Sequence, residues 1–128
     1  MNLHEYQGKE LFGKYNLPVS KGIVIDDPEN ALKACRDIGG SKWVVKAQVH
    51  AGGRGKGGGV KLAKNLKEVE EIAGKIIGMN LITPQTSAAG KRVHQVLIAE
   101  DVYYPGESET SEFYVSVLLN RSTGRNMI

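Results

Sequence analysis

The apolar positions of this chain alternate between the spacing of helices and the spacing of strands. Apolar residues at three- and four-residue steps predict an amphipathic helix over 3–15, with Asn2 as its N-cap. Asp27 followed by Pro28 predicts a helix that ends at Ile38, because aspartate caps a helix and proline fits its first turn. The other predicted elements are strands over 22–25, 43–49, 59–64, 92–100, 113–119 and from 125 onward, a helix from the Asn65 cap to about 77, a candidate short strand over 81–83 and a loop over 84–90.

The order of these elements predicts an α+β fold, an α/β sandwich. After the first helix the order is strand, helix, strand, glycine loop, strand, helix and strand. Strands that alternate with helices, together with one tight hairpin, are typical of a sheet covered by helices.

Glycine supplies six of the eight residues from 52 to 59, directly after an apolar strand that Lys46 interrupts. Glycine lets the backbone approach a ligand closely, and an ammonium on a buried strand has to reach either an edge or an anion. Arg54 and Lys56 add two cations to the loop. Backbone N–H groups beside such cations are a natural cradle for phosphate.

The loop is not one of the common helix-linked phosphate loops. A Walker A pattern is absent, and Gly53, Gly55 and Gly58 fit G-x-G-x-x-G only where a strand follows instead of a helix. A flap between two antiparallel strands fits the pattern better. A solvated hairpin tip is the alternative, and an RGG-like nucleic-acid segment is weaker because no aromatic residues interleave the loop.

Composition narrows the class of protein. The length of 128 residues and the 41% hydrophobic content suit one ordinary domain, and the net charge of +3 suits a polyanionic ligand as well as nucleic acid. No apolar stretch is long enough for a membrane span, and the polar start argues against a signal peptide. The single cysteine, Cys35, excludes an internal disulfide and suits a reducing compartment, so we expect a cytoplasmic protein and read Cys35 as a small apolar helix residue.

Two segments resemble a known family. The segment from Val44 to Lys56 closely resembles the glycine-rich segment of the β subunit of succinyl-CoA synthetase (succinate–CoA ligase, ADP-forming), and Met1 to Gln7 resembles that subunit's amino terminus. The resemblance runs through the whole chain, but the family's subunit is much longer, so we expect this chain to be its amino-terminal part. The resemblance implies an ATP-grasp fold, in which two α+β lobes clasp a nucleotide.

The family's architecture divides the chain into three parts. We expect residues 20–98 to form the smaller lobe and residues 99–128 to form the hinge and the start of the larger lobe. Residues 1–19 are expected to pack as a helix on that larger lobe.

The resemblance also assigns site residues, all of them for nucleotide binding. Lys46 would contact the phosphates, and Glu100 would be the hinge glutamate near the adenine edge and the sugar. A longer connector than the family's usual one leaves the second nucleotide-contacting glutamate open between Glu112, which matches better, and Glu107. The complete expected set is Lys46, Gly53, Arg54, Gly55, Glu100, Tyr103 and Glu112.

No catalytic residue and no metal ligand is expected in this chain. In the family the phosphorylated histidine and the CoA site belong to the α subunit, so His4, His50 and His94 are not given that role. The Mg²⁺ ligands are expected beyond residue 128. The resemblance implies ATP or GTP with Mg²⁺ as the cofactor, and the sequence leaves the choice of nucleotide open.

The implied reaction interconverts succinate, CoA and a nucleoside triphosphate with succinyl-CoA, the diphosphate and phosphate. The implied partner is the α subunit, with no nucleic acid and no membrane, and we expect no turnover by this chain alone. The alternatives are a related acyl-CoA ligase, such as a malate–CoA ligase, or a non-catalytic nucleic-acid-binding module that uses the basic glycine loop.

Overall fold

The computed structural model describes residues 2–103, 111 and 113–128, which form three helices and eight strands. In chain order these elements are α1 (Glu5–Lys14), β1 (Gly22–Ile25), a 3-10 turn (Pro28–Asn30), α2 (Ala31–Ile38), β2 (Trp43–Ala47), β3 (Val60–Ala63), α3 (Leu66–Ile76), β4 (Asn80–Leu81), β5 (Lys91–Arg92), β6 (Val96–Glu100), β7 (Leu118–Asn120) and β8 (Arg125–Met127).

Four strands form the main sheet in the order β1-β6-β2-β3, and every neighbouring pair is antiparallel. Helices α2 and α3 pack on one face of this sheet. The predicted α+β class is therefore confirmed. The glycine loop connects β2 to its antiparallel neighbour β3, as the pattern predicted.

Strand β2 separates the core from the opposite face of the sheet. Trp43, Val45 and Ala47 are buried, whereas Val44 and Lys46 between them are half-buried. Side chains alternate between the two faces of a strand, so Lys46 points away from α2 and α3. Cys35 is buried in the core on α2, and burial raises the pKa of its thiol to about 11, which confirms its reading as an apolar helix residue.

The predicted strand over 92–100 is wrong as one continuous element. Lys91–Arg92 pairs with β4 in a separate two-stranded sheet, and only Val96–Glu100 joins the main sheet. Val93 lies between them, buried, with its backbone bonded to Gly78 and Met79. These bonds hold the chain against the end of α3, so the ladder of β6 starts only at Val96.

Three further predicted boundaries differ from the structure. Helix α1 begins after His4 and not after Asn2, because the Gln7 side chain accepts the His4 N–H at 2.9 Å and closes the first turn there. The helix after Asp27 starts with a 3-10 turn. Of the predicted strand over 113–119, only Leu118 and Leu119 are in a strand, because the pairing with β8 extends no further than Leu118 opposite Met127.

The three-part division of the chain stays a prediction. Among the described residues α1 lies against the main sheet: the Lys9 Nζ donates to Ser20 Oγ at 2.6 Å, and the Tyr6 N–H donates to Gln48 Oε1 at 3.3 Å. Packing of α1 on a larger lobe is not tested by these contacts.

Asn65 caps α3, as predicted, and its loss should cost measurable stability. The Asn65 Oδ1 accepts the Glu68 N–H at 2.9 Å. We expect Asn65→Ala to lower the free energy of unfolding by about 1 kcal/mol, because a helix N–H then loses its acceptor. Asn65→Ser keeps an acceptor and should retain most of the stability. Urea unfolding measures both, and equal losses in the two variants would contradict the capping role.

Candidate functional site

A polar cleft of about 660 Å³ lies between the start of α1 and the glycine loop. The chain segments that form it come from α1, from the loop after β2, and from the turns before β5. Its lining residues are Asn2, Leu3, Glu5, Val49, His50, Ala51, Gly52, Gly53, Arg54, Gly55, Val60, Gln85 and Lys91. Three of the residues predicted from the sequence, Gly53, Arg54 and Gly55, therefore face the same cleft.

Lys46 and Arg54 converge on one carboxylate at this cleft, that of Glu5. The Lys46 Nζ lies 2.9 Å from Glu5 Oε1, and the Arg54 Nη2 lies 2.7 Å from Glu5 Oε2. Arg54 is held from the other side, since its Nη1 donates to the Ala47 carbonyl at 2.6 Å. Lys46 does not itself line the cleft, but both cations pair with the carboxylate of Glu5, which does.

The backbone of the loop leaves a row of unused donors at its start. The N–H groups of residues 56–59 bond to carbonyls of residues 53–55 within the loop. The Gly52 N–H donates to Gln85 Oε1 at 2.6 Å. Among the described residues, no acceptor pairs with the N–H groups of residues 53–55. Three successive amides beside a guanidinium and an ammonium can therefore bind anionic oxygens.

Several loop glycines are required by packing against protein and not by a ligand. A Cβ on Gly57 would meet the Ile82 carbonyl oxygen and lie 2.8 Å from Leu81 Cδ1. A Cβ on Gly53 would lie 2.9 Å from Pro84 Cδ, and Gly53 has a φ of +72°. A Cβ on Gly55 would meet nothing within 4 Å. A Cβ on Gly58 would likewise meet nothing within 4 Å, but only Gly55 of these two lines the cleft.

The two cations determine the protonation of Glu5. Burial by itself would raise the pKa of its carboxyl, but the hydrogen bonds and charges of Lys46 and Arg54 outweigh burial, so the pKa lies below the ordinary value. A depressed pKa keeps Glu5 ionised at neutral pH. The carboxylate is therefore a full negative charge held between two positive charges.

Two histidines stack at the edge of the same site. The rings of His4 and His50 are 3.9 Å apart between centroids at an angle of 18°, and His4 Nδ1 is buried without a hydrogen-bond partner among the described residues. Burial, together with the charges of His50 and Arg54, lowers the pKa of His4. His50 thus supports the loop by stacking, while its carbonyl accepts from the Lys91 Nζ at 2.7 Å.

The predicted hinge residues lie at the opposite end of the sheet. Glu100 pairs with Trp43, the first residue of β2, whereas the loop follows the last residue of β2. The Glu100 Oε1 accepts the Lys21 N–H at 2.8 Å. The Tyr103 side chain is exposed, and its N–H donates to Asp101 Oδ1 at 3.2 Å. Glu107 and Glu112 lie outside the described residues.

Among the cleft residues that were not predicted from the sequence, Glu5, Gln85 and Lys91 make polar contacts at the site. Glu5 lies 41 positions from Lys46 and carries no local signal beyond its place on the inner side of α1. Gln85 lies in the predicted loop over 84–90, where amide residues are common, and Lys91 lies between that loop and the strand predicted from 92. Only the folded chain brings them to the glycine loop.

Comparisons with known proteins show the family to which the chain belongs. The ATP-grasp domain family matches residues 2–128, and the chain belongs to that family. The chain is 70% identical over its whole length to the β subunit of succinate–CoA ligase [ADP-forming] from Flavobacterium psychrophilum, and 54% identical over 94% of its length to the subunit of the same name from Ralstonia nicotianae. The resemblance predicted from the sequence is thereby confirmed.

The chain spans about a third of the length of these relatives, 33% of the first and 30% of the second. A solved structure of an acetyl-coenzyme A synthetase from Ca. Korarchaeum cryptofilum aligns with 82% of this chain and 42% of its own, with a TM-score of 0.59 and 23% identity. This likeness supports the fold alone, and it agrees with the predicted ATP-grasp architecture.

The described residues contain neither a candidate membrane span nor a candidate metal cluster. No helix among them is long and apolar enough to cross a membrane. In the same part of the chain, no group of three or more His, Cys, Asp or Glu side chains is arranged to hold a metal ion.

The packing of the loop predicts different effects for two matched glycine substitutions. We expect Gly57→Ala to lower the free energy of unfolding by about 1–3 kcal/mol, because the new methyl group overlaps Leu81 and the Ile82 backbone. Gly55→Ala meets open space and should change stability by less than about 0.5 kcal/mol. Denaturant unfolding of both variants tests this difference, and a Gly57→Ala variant as stable as wild type would contradict it.

The lowered pKa of His4 predicts a loss of stability on mild acidification. A histidine with a depressed folded pKa stabilises the fold above its ordinary value of 6.5, and this contribution is lost as the pH falls from there toward the folded pKa. The free energy of unfolding should therefore fall between about pH 7.5 and about pH 5.5. Glu5, whose ordinary pKa is 4.5, stays ionised throughout this interval.

His4→Asn should flatten this dependence, whereas His94→Asn, which changes an exposed histidine outside the stack, should retain it. Unfolding measured across the interval separates the two variants. A slope in the His4→Asn variant equal to that of wild type would exclude His4 as the source.

Proposed function

We propose that this chain grips the phosphates of a nucleoside triphosphate, as the smaller lobe of a succinate–CoA ligase β subunit. The observation that carries the proposal is the convergence of Lys46 and Arg54 on one anion, next to the unpaired amides of residues 53–55. A strand and a closed loop hold these groups, so little ordering is needed when an anion arrives.

The chemistry of the two cations suits phosphate. A guanidinium binds two oxygens of a phosphate in a planar fork, and an ammonium acts as a compact point charge. Cations and amides held in place stabilise charge on phosphoryl oxygens without reorganising during transfer. Lys46, Gly53, Arg54 and Gly55 would share this role, while Lys91 adds positive charge at the cleft.

The position of the hinge residues supports a nucleotide that lies along β2. Glu100 is opposite Trp43, four residues from the end of β2 where the loop begins, which is roughly 13 Å at about 3.3 Å per residue. With the phosphates at the loop, the sugar and base would reach toward Glu100 and Tyr103. The role of Glu112 belongs to the same proposal.

The activity of the whole protein is proposed from its relatives. Their names support ligation of succinate to CoA with formation of ADP, and thus ATP as the nucleotide. We propose an α subunit that carries the phosphohistidine and CoA as the partner, the cytoplasm as the location, and Mg²⁺ held by ligands beyond residue 128. Assaying a complete β subunit with its α subunit against succinate and malate decides between the two acids.

A nucleic-acid module is not favoured by the geometry. Arg54 points inward to Glu5 and the Ala47 carbonyl, which leaves Lys56 as the outward cation of the loop. Binding through phosphates of a polymer needs a row of accessible cations.

The test is a titration of ATP and GTP with Mg²⁺ that follows the amide signals of residues 53–59. We expect shifts in the wild type, and a Lys46→Ala variant that binds about 10- to 100-fold more weakly, because hydrogen bonds to charged groups contribute about 1.5–3 kcal/mol. Lys61→Ala is the matched control. Lys61 is exposed and pairs with Val45. Its substitution therefore removes the same charge from a strand residue outside the cleft.

The Lys61→Ala variant should bind like the wild type. No shift in residues 53–59 of the wild type would refute the phosphate site. Equal weakening in both variants would reduce the role of Lys46 to general electrostatic attraction.

A further inference from the structure

The carboxylate of Glu5 occupies the position between the two cations of the phosphate site. Glu5 Oε1 accepts from the Lys46 Nζ at 2.9 Å, and Glu5 Oε2 accepts from the Arg54 Nη2 at 2.7 Å. The side chains of all three residues are between 22% and 27% exposed, so the pairs are partly withdrawn from water. Exposed ion pairs contribute little, but partly buried ones with two charge-assisted hydrogen bonds contribute more.

The Glu5 carboxylate holds two anionic oxygens in the arrangement that two non-bridging oxygens of a bound phosphoryl group would have. Two non-bridging oxygens of a phosphoryl group can accept from the same ammonium and the same guanidinium. Since the Ala47 carbonyl fixes Arg54 from behind, the donors point to one location. A phosphate placed there has to replace the Glu5 carboxylate, because two anions at one location repel each other.

Helix α1 is attached to the sheet by few contacts. None of its residues is buried. Apart from the pairs of Glu5, the polar contacts that join it to the described rest of the chain are Lys9 to Ser20 and Tyr6 to Gln48. His4 adds its stack on His50 just before the helix. Segments with little buried surface open at low free-energy cost, so loss of the Glu5 pairs should loosen α1.

We propose that Glu5 is an internal ligand of the phosphate site, which a triphosphate displaces, so that occupation of the site releases α1 from the sheet. This inference rests on the proposed function. It assigns Glu5 a positioning role: the carboxylate keeps Lys46 and Arg54 together in the empty site and lowers the site's affinity for phosphate.

Tripolyphosphate is the probe for affinity, since it carries the phosphates without sugar or base. We expect Glu5→Gln to bind it about 10-fold more tightly than the wild type, because a neutral amide competes less well for two cations. Glu10→Gln is the matched control: Glu10 is exposed on the same helix, with no ion pair among the described residues, and should leave the affinity unchanged.

The outcomes separate this inference from the proposed function. If neither the wild type nor Glu5→Gln binds tripolyphosphate, the phosphate site is refuted, and the inference with it. If the wild type binds and Glu5→Gln binds equally or more weakly, only the inference is overturned. An equal gain in Glu10→Gln would assign the effect to net charge and also overturn it.

Amide hydrogen exchange of residues 6–14 provides a second readout, which can be measured in the wild type as well as in Glu5→Gln. In the wild type we expect saturating tripolyphosphate to speed exchange in α1, while β2 and β6 stay protected. In Glu5→Gln the same amides should exchange faster before any ligand is added. Unchanged exchange of α1 in the saturated wild type would overturn the release of the helix.

Discussion

The structure depends on the position of β2 at the centre of the sheet. This strand is hydrogen-bonded to β6 on one side and to β3 on the other, so a slip of one residue would have to break both ladders and exchange its two faces. The register buries Trp43, Val45 and Ala47 under the helices and turns Lys46 to the other face. The same strand then leads directly into the glycine loop. The alternation of side chains along β2 therefore fixes both the packing of the core and the direction of the Lys46 ammonium.

The glycine loop packs against protein on one side and lines the cleft on the other. Its far side lies on Leu81 to Gln85, where Cβ atoms at positions 53 and 57 would overlap protein atoms. Residues 53–55 line the cleft, and their N–H groups have no acceptor among the described residues. Close packing on one side leaves the backbone little freedom, so the amides are held in place before an anion arrives. This division explains why so many glycines occur together: some permit packing, and Gly55 leaves room at the cleft.

The charges of the cleft link the amino terminus to the loop. Lys46 and Arg54 are close enough to share one carboxylate, and without an anion between them they would repel each other. Glu5 supplies that anion, and its own pKa falls as a result, despite burial that acts in the opposite direction. The pKa of the neighbouring His4 is also lowered, since burial and nearby positive charge both disfavour its protonated form. Helix α1 is thus held mainly by polar groups at the very site where a phosphate is expected.

The sequence by itself determined the features that local chemistry encodes. The α+β order, the Asn65 cap, the β2–loop–β3 hairpin and the grouping of Gly53, Arg54 and Gly55 near Lys46 all followed from spacing, capping and resemblance within short segments. Tertiary structure decided the rest. The division of 92–100 between two sheets depends on Val93 meeting Gly78 and Met79, and the partner of Lys46 is a carboxylate 41 residues away. Local periodicity carries no information about which distant segment completes a ladder or neutralises a charge, because that choice is made only when the sheet brings the segments together.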